Sequence, residues 1–463
     1  MLPAGDSRME WVLQLVVTGI DGQSRSSDVM AISRPDGLGD LANLGLTLVE
    51  AKQLLAHVQR DIVAAQAGNH AMLRPDCQSC GGACHVKDWR PHRIATVCGE
   101  VRVKLPRLVC AECGCGRTGV GWPSHCRSTP ELDRLRARLS ALMPYRVAAD
   151  VMRHLLVIDA GTSPETMRSH TLQLGKRLAD AAAEMPPAAA AAITISLAST
   201  FIRSRDAGER HLAVRVGNVE TVEGGRQVFG AITRSETGIT VLIQRTLETL
   251  GRTDTTEVTA FTDGCPGLRT VLLNAGVTKP PLLDWFHIAM RLRHTKLTAA
   301  NLSTDNPARV TAKAAIVAEV DRLHWRIWNG KAKNAQRSIK RIREVMHIFK
   351  GESSQSAKGV ASHKLWHALH AVDKYLKGQA TWLVNYAQRY RAGQRVGTSI
   401  TEGAANCLVN QRMNKSQQMR WSRRGADLLL QVRCAVYNGT LGAGFGHRFG
   451  RISNADPAFA NAA

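Results

Sequence analysis

Residues 258–264, VTAFTDG, decide how this chain folds when they are set against 193–203, ITISLASTFIR. The first run is rich in β-formers and closes on Asp263-Gly264, as a buried strand does when it ends in a turn with a carboxylate at its tip. The second run alternates Ile193, Ile195 and Leu197, the period-2 mark of a half-buried strand. Between them lie two more strand-like runs, 211–219 (HLAVRVGNV) and 226–233 (RQVFGAIT), and a helical pattern over 237–250. The expected order is therefore three strands, a helix, and a strand ending in Asp263.

That order is the order of an RNase H-like α/β core. In such a core the first and fourth strands each present a carboxylate, and a later helix supplies a third. Here the third is Glu402, at the mouth of 400–437 (ITEGAANCLVNQRMNKSQQMRWSRRGADLLLQVRCAVY). Three such carboxylates can hold two Mg²⁺ (or Mn²⁺) ions about 4 Å apart for in-line attack on a phosphodiester. Behind Glu402 come Arg412, Lys415, Arg420, Arg423 and Arg424 around Trp421, types that hold phosphates and stack on a base. An amphipathic helix with a solvated basic face gives the same pattern. Asp284-x-x-His287 either touches the active site or is a buried Asp–His pair.

Outward from the core, 298–395 reads as helical throughout and separates Asp263 from Glu402, so it is an all-α insertion. Its segment 331–350 is strongly basic, with Lys340 and Arg341 among the charges, and Trp325, Trp328, Trp366 and Trp382 lie nearby. Charge and aromatics together suggest a DNA clamp; taken singly, each Trp reads as core. The expected division is an N-terminal α/β module at 1–70, a zinc ribbon at 75–128 and a helix-turn-helix at 129–178. A linker follows at 179–192, then the core at 193–297 and 396–440 around the insertion, and a loose tail at 441–463.

The ribbon rests on Cys77-x-x-Cys80 and Cys110-x-x-Cys113, which bracket two β-like runs expected to turn at Gly99-Glu100. Four thiolates can close a tetrahedral structural Zn²⁺ site. Cys84, His85, Cys98, Cys115, His125 and Cys126 are spare ligands. In 129–178 a capped helix, Ser163 then Pro164, follows a glycine-containing turn and exposes Arg168, His170, Gln173 and Lys176. A plain three-helix bundle is the alternative.

The chain has 463 residues and a formal net charge of +23, from 61 Lys+Arg against 38 Asp+Glu. A polyanion, nucleic acid first, is the partner that such a charge implies. A membrane surface is the competitor, but the sequence offers no spanning segment and no signal segment, and a cytoplasmic protein is expected. Eight of eleven Cys fall between Cys77 and Cys126, a clustering that favours metal over disulfides.

Taken together, CQSC…CAEC, ISLASTFIRS, GERHLAVRVGNVE, FTDGCPGLR, LLDWFHIAMRLRH and TEGAANCLVNQRMNKSQQMRWS resemble the bacterial insertion-sequence transposases of the Kra type, whose core is similar to the Mutator-like DDE transposases. The resemblance spans most of residues 75–440. It implies a nucleoid-associated DDE transposase that cleaves and transfers strands at transposon terminal inverted repeats into target DNA, working as a homodimer or larger assembly. Asp263 and Glu402 would be the second and third Mg²⁺ ligands. Arg412, Lys415 and Arg420 would hold phosphates, and Asn406 would orient a phosphate or water. Arg168, His170 and Gln173 would read base edges.

One position departs from the family. The first acid belongs in ISLASTFIR, where the sequence has Ala198, and Asp206 lies too far beyond the strand to replace it. A methyl for a shared metal ligand should cost several kcal/mol at the transition state, roughly a thousand-fold in rate. The expectation is a catalytically disabled transposase, whether the methyl arose by design or by descent. The competing reading is a non-catalytic, sequence-specific DNA-binding protein derived from one. A structure-selective nuclease on the same core is weaker, because a helix-turn-helix beside a ribbon argues for specific ends.

Overall fold

Alternating apolar residues in 193–203 do form a strand, and it sits at the centre of a five-stranded sheet. The computed structural model describes residues 8–19, 22–35, 40–118, 127–157, 162–180, 188–232, 235–350, 360–397, 403–414 and 419–441. It forms two compact units, one up to Lys176 and one from Arg177 to Gly439.

The first unit opens with β1 (Arg8–Thr18) and β2 (Ser24–Pro35), an antiparallel ribbon. Helix α1 (Leu48–Met72) starts at the capping box legible in the sequence. Thr47 Oγ1 accepts from Glu50 N at 3.2 Å, and Thr47 N donates to the Glu50 carboxylate at 2.9 Å. β3 (Cys84–Thr96), β4 (Gly99–Cys110) and β5 (Gly116–Thr118) make an antiparallel three-stranded sheet. The β3–β4 turn falls on Val97-Cys98, slightly before the position expected, and Gly99 opens β4 at φ 113°. A side chain there would be strained, which fixes the turn ahead of the glycine.

Three helices follow: α2 (Pro130–Leu142), α3 (Tyr145–Leu155) and α4 (Pro164–Asp180). They bury Leu132, Ala148, Ala149, Met152 and Met167 against one another. Ser163 Oγ accepts from Thr166 N at 3.1 Å, the N-cap that the sequence announces.

The second unit is built on β6 (Ala192–Arg203), β7 (His211–Thr221), β8 (Arg226–Ala231), α5 (Glu236–Thr249), β9 (Glu257–Thr262), α6 (Pro266–Asn274) and β10 (Leu282–Leu283). Strand order is β10-β9-β6-β7-β8. The β6–β7–β8 meander is antiparallel, and β9 and β10 run parallel to β6. Ile193, Ile195, Leu197 and Ala260 face α5 and α6. The other face carries Ile202, Val214 and Val216.

Beyond the sheet come α7 (Trp285–Ala300), α8 (Pro307–Trp328), α9 (Ala332–Val345), α10 (Ala361–Gln379) and α11 (Tyr386–Arg391). They surround a core of their own, including Ile288, Leu292, Ile316, Leu323, Ile339, Leu369 and Tyr386. The helical body thus begins at α7, ahead of the expected start at 298, because Ile288 and Leu292 face it. α12 (Asn406–Asn414) is wound as a π-helix, and α13 (Arg423–Tyr437) closes the unit. Both pack on the sheet face carrying Ile202 and Val216. Mixed α+β architecture is therefore established. Among the described residues no helix is long and apolar enough to cross a membrane.

Candidate functional site

The parallel pairing of three strands stops level, while β6 itself runs on to Arg203 beside β7. Leu197 of β6 and Leu283 of β10 both pair with Thr262 of β9. The next residue on each chain segment is Ala198, Asp263 and Asp284, so extending the register one step sets these three in a single row just past the last parallel pair.

Asp263 is held from two directions. Its Oδ1 accepts from Cys265 N at 2.9 Å, which shapes the turn into α6. Its carbonyl accepts from Tyr375 Oη of α10 at 3.1 Å. Gln379, one turn further on, donates to Gly264 O at 2.8 Å and accepts from Arg269, whose guanidinium lies 4.2 Å from the centroid of Trp382. Burial pushes the Tyr375 phenol up to about 12, so it stays a donor. Gly264 adopts φ 96°, and a Cβ would stand 3.1 Å from both Leu283 and Gln379.

Asp284 is 3% exposed. It caps α7, accepting from Phe286 N at 2.9 Å, while its own N–H donates to Thr262 O at 2.9 Å. The following His287 is partly buried with its ring edge-on to Phe286. Gly397 presses on Asp284: a Cβ at 397 would lie 2.5 Å from Asp284 Oδ1. Trp285 N donates to Val396 O at 3.1 Å, which ties that segment to the start of α7.

Glu402 lies outside the described residues, but its flanks do not. The chain is fixed against Asp284 at Val396-Gly397 and is described again from Gly403. Ala404, Ala405 and Leu408 then join the cluster that Ala198 borders. Only residues 398–402 separate the two anchored points.

α12 is rare in kind: π-helices are mostly single turns and often mark functional sites. Arg433 of α13 is buried beside it and donates to Leu408 O at 2.5 Å and to Cys407 O. Asn406 is the first residue of α12 and is partly buried.

Several expected DNA contacts stand differently. Arg412 is 2% exposed, with its guanidinium 5.5 Å from the centroid of Trp421. Burial on the sheet side of α12 withdraws it from phosphates. Trp421 is also core, with Nε1 donating to Met413 O at 3.0 Å. Its backbone bonds Arg203 and Arg205, which fastens this segment to the end of β6. Arg420 is exposed, and Lys415 lies outside the described residues. Asp206 accepts from Arg423 N at 3.0 Å and so serves the start of α13. Lys340 and Arg341 are on the solvent face of α9, opposite buried Ile339 and Ile342. Trp328 packs with Trp285 and Tyr386, whereas Trp325 and Trp366 are exposed.

In the first unit, Arg168 pairs with Glu165 at 2.6 Å, and Gln173 faces solvent. His170 is engaged: its Nδ1 is 3.0 Å from Asp133 Oδ1, joining α4 to α2. Asp133 also receives Ser128 Oγ at 2.7 Å and Arg136 at 3.1 Å. His170 therefore reads first as a bundle contact rather than a base-edge contact.

Cys77, Cys80, Cys110 and Cys113 converge, with every Sγ within 4.8 Å of the others. Cys77–Cys113 is 3.6 Å and Cys80–Cys110 is 3.5 Å. A tetrahedral zinc with Zn–S bonds of about 2.3 Å has edges of about 3.8 Å, so the four thiols fit such an ion closely. Backbone N–H groups of Ser79 and Cys80 draw the Cys77 thiol down to about 6, toward the ligating form. Four sulfurs leave no open position, so the chemistry is structural. Cys84 lies across the β3–β4 pair from Cys110, and Cys98 sits in the far turn. His125 and Cys126 lie outside the described residues.

A two-metal Mg²⁺ site is a different matter. Position 198 offers a methyl, the Asp284 carboxylate is committed to α7, and Asp263 is the one acid of the triad within the described residues. This donor set does not fit two ions. Tyr375, Gln379, Gly397 and Arg433 shape the site without any motif to announce them. Compared with known proteins, the chain matches no family model and no curated protein.

Proposed function

We propose that the chain is a DDE-type transposase in a disabled form: it binds the ends of a DNA element and does not cut them. The core is then RNase H-like, α7–α11 are its helical insertion, and the ribbon and α2–α4 bind DNA. The observation that carries this reading is the level row of Ala198 and Asp263 on neighbouring parallel strands. The chain on either side of Glu402 is anchored at Asp284 and on the Ala198 face. A catalytic carboxylate at 198 would stand beside Asp263 without any rearrangement of the sheet. The charge of +23 and the exposed basic face of α9 support a nucleic-acid partner.

The second reading, a DNA-binding protein with no parent activity in reach, is favoured by Ala198 itself. One experiment separates the two. The chain and its Ala198→Asp variant are incubated with a plasmid carrying the element's ends, in Mg²⁺ and then Mn²⁺, and strand breaks are mapped. Cutting by the Asp form alone supports the transposase reading. Tight end binding with no cutting by either form supports the second. Cutting by the unaltered chain overturns the assignment of position 198.

A further inference from the structure

Cys110 belongs to the group of four converging thiols, and the cysteine opposite it does not. Cys84 opens β3 and pairs in register with Cys110 at the end of β4. Opposed residues of an antiparallel pair project from the same face of the sheet. Such pairs are of two kinds, and a backbone bond identifies this one. Ala111 N donates to Ala83 O at 3.1 Å, one residue outside the pair on each side. Cys84 and Cys110 are therefore a non-hydrogen-bonded pair, the kind whose Cα atoms stand only about 4.5 Å apart. A disulfide spans Cα separations of about 4.4–6.8 Å, so these two cysteines can be joined without moving either strand.

The other cysteines near Cys110 are placed less well for this. On the β5 side the backbone bond joins the two residues themselves, Cys110 N to Cys115 O at 3.1 Å. That arrangement holds opposed residues wider, at about 5.5 Å. Within the group of four, Cys80 Sγ is 3.5 Å from Cys110 Sγ and Cys77 Sγ is 3.6 Å from Cys113 Sγ. A bound zinc occupies all four of those sulfurs as thiolate ligands. Cys84 stands outside that tetrahedron, and it is partly exposed where Cys110 is buried. An oxidant can reach Cys84 with the metal in place.

We propose that Cys84 is an oxidation site that takes Cys110 out of the zinc cluster: a peroxide oxidises Cys84, a Cys84–Cys110 disulfide forms, and zinc leaves. The Cys84 thiol attacks one peroxide oxygen. The O–O bond breaks, Cys84 becomes a sulfenic acid, and one water departs. The Cys110 thiolate then attacks the Cys84 sulfur. The S–O bond breaks, and the leaving hydroxide takes a proton to become a second water. Two electrons pass from the two sulfurs to one peroxide, and Zn²⁺ is neither oxidised nor reduced. Left with three ligands, the ion dissociates, and the two knuckles lose what joins them. The proposal rests on the zinc site and not on any activity toward DNA.

The test treats the full, zinc-loaded chain with hydrogen peroxide and follows metal release with a zinc-sensitive dye. The unaltered chain should release its zinc, and peptide mass mapping after thiol blocking should find Cys84 joined to Cys110. A dithiol reductant with added zinc should restore the metal. Cys84→Ser keeps all four ligands and should load zinc as the unaltered chain does. It should release zinc roughly tenfold more slowly, because the second step has lost its partner held in place. Cys115→Ser serves as the control and should release zinc at the unaltered rate. Equal release by Cys84→Ser overturns the proposal, and so does a map that joins only the four ligands to one another. Should Cys84→Ser fail to fold, the map of the unaltered chain decides alone. A chain that takes up no zinc overturns the proposal at the zinc site, before any oxidant is added.

Discussion

At the scale of single residues, the candidate site depends on backbone that admits no side chain. Gly397 touches Asp284 Oδ1, and the added methyl of Gly397→Ala has nowhere to go but into that carboxylate. The substitution should cost about 1–3 kcal/mol in a urea titration, as overpacking does. Cutting by the Ala198→Asp form should fall further if the row at the strand ends is displaced. Glu50 offers a pH test. Arg34, bonded at 2.5 Å, and the Thr47 cap hold its carboxyl down to about 2 from the ordinary 4.5. A depressed carboxyl stabilises the fold fully above the unfolded value and loses that contribution as pH falls through the folded one. The α1 cap should therefore persist well below pH 4.5 and fail near pH 2. A carbon NMR titration of Glu50 reads the midpoint, which Arg34→Ala should move back toward 4.5.

At the scale of elements, the cysteine cluster gives the most direct test. Replacing one ligand, Cys113→Ser, should abolish tight zinc binding. Metal analysis should then fall from one zinc per chain to none, and chelator should lower the melting temperature of the unaltered chain alone. Much of this level was legible in the sequence. Spacing alone marked the two CxxC knuckles, and Thr47, Glu50, Ser163 and Pro164 announced two helix starts. Period-2 alternation in 193–203 and the Asp at 263 located the central strands. Arg412 and Trp421 have types that say phosphate and base, but α12 turns Arg412 inward and backbone bonds to the end of β6 bury Trp421, and neither effect has a local pattern. A π-helix carries no sequence signature that periodicity can detect. Tyr375 and Gln379 reach Asp263 and Gly264 from more than a hundred residues away, and no local pattern encodes that.

At the scale of the whole molecule, excess charge sets how the chain meets its surroundings. Lys340→Glu with Arg341→Glu should weaken DNA binding across sequences and reduce the slope of log affinity against log salt by about 2, one for each phosphate no longer neutralised. Filter binding over a salt series measures both. The tie between α10 and the end of β9 has a mechanical consequence. Tyr375 and Gln379 grip the backbone of residues 263 and 264 from one side of that helix, and Trp366, His367 and His370 lie exposed on its outer side. A helix with its side chains is only about 10 Å across. The tip carrying Asp263 therefore hangs on one helix: whatever shifts α10 sideways is borne by the two hydrogen bonds at residues 263 and 264.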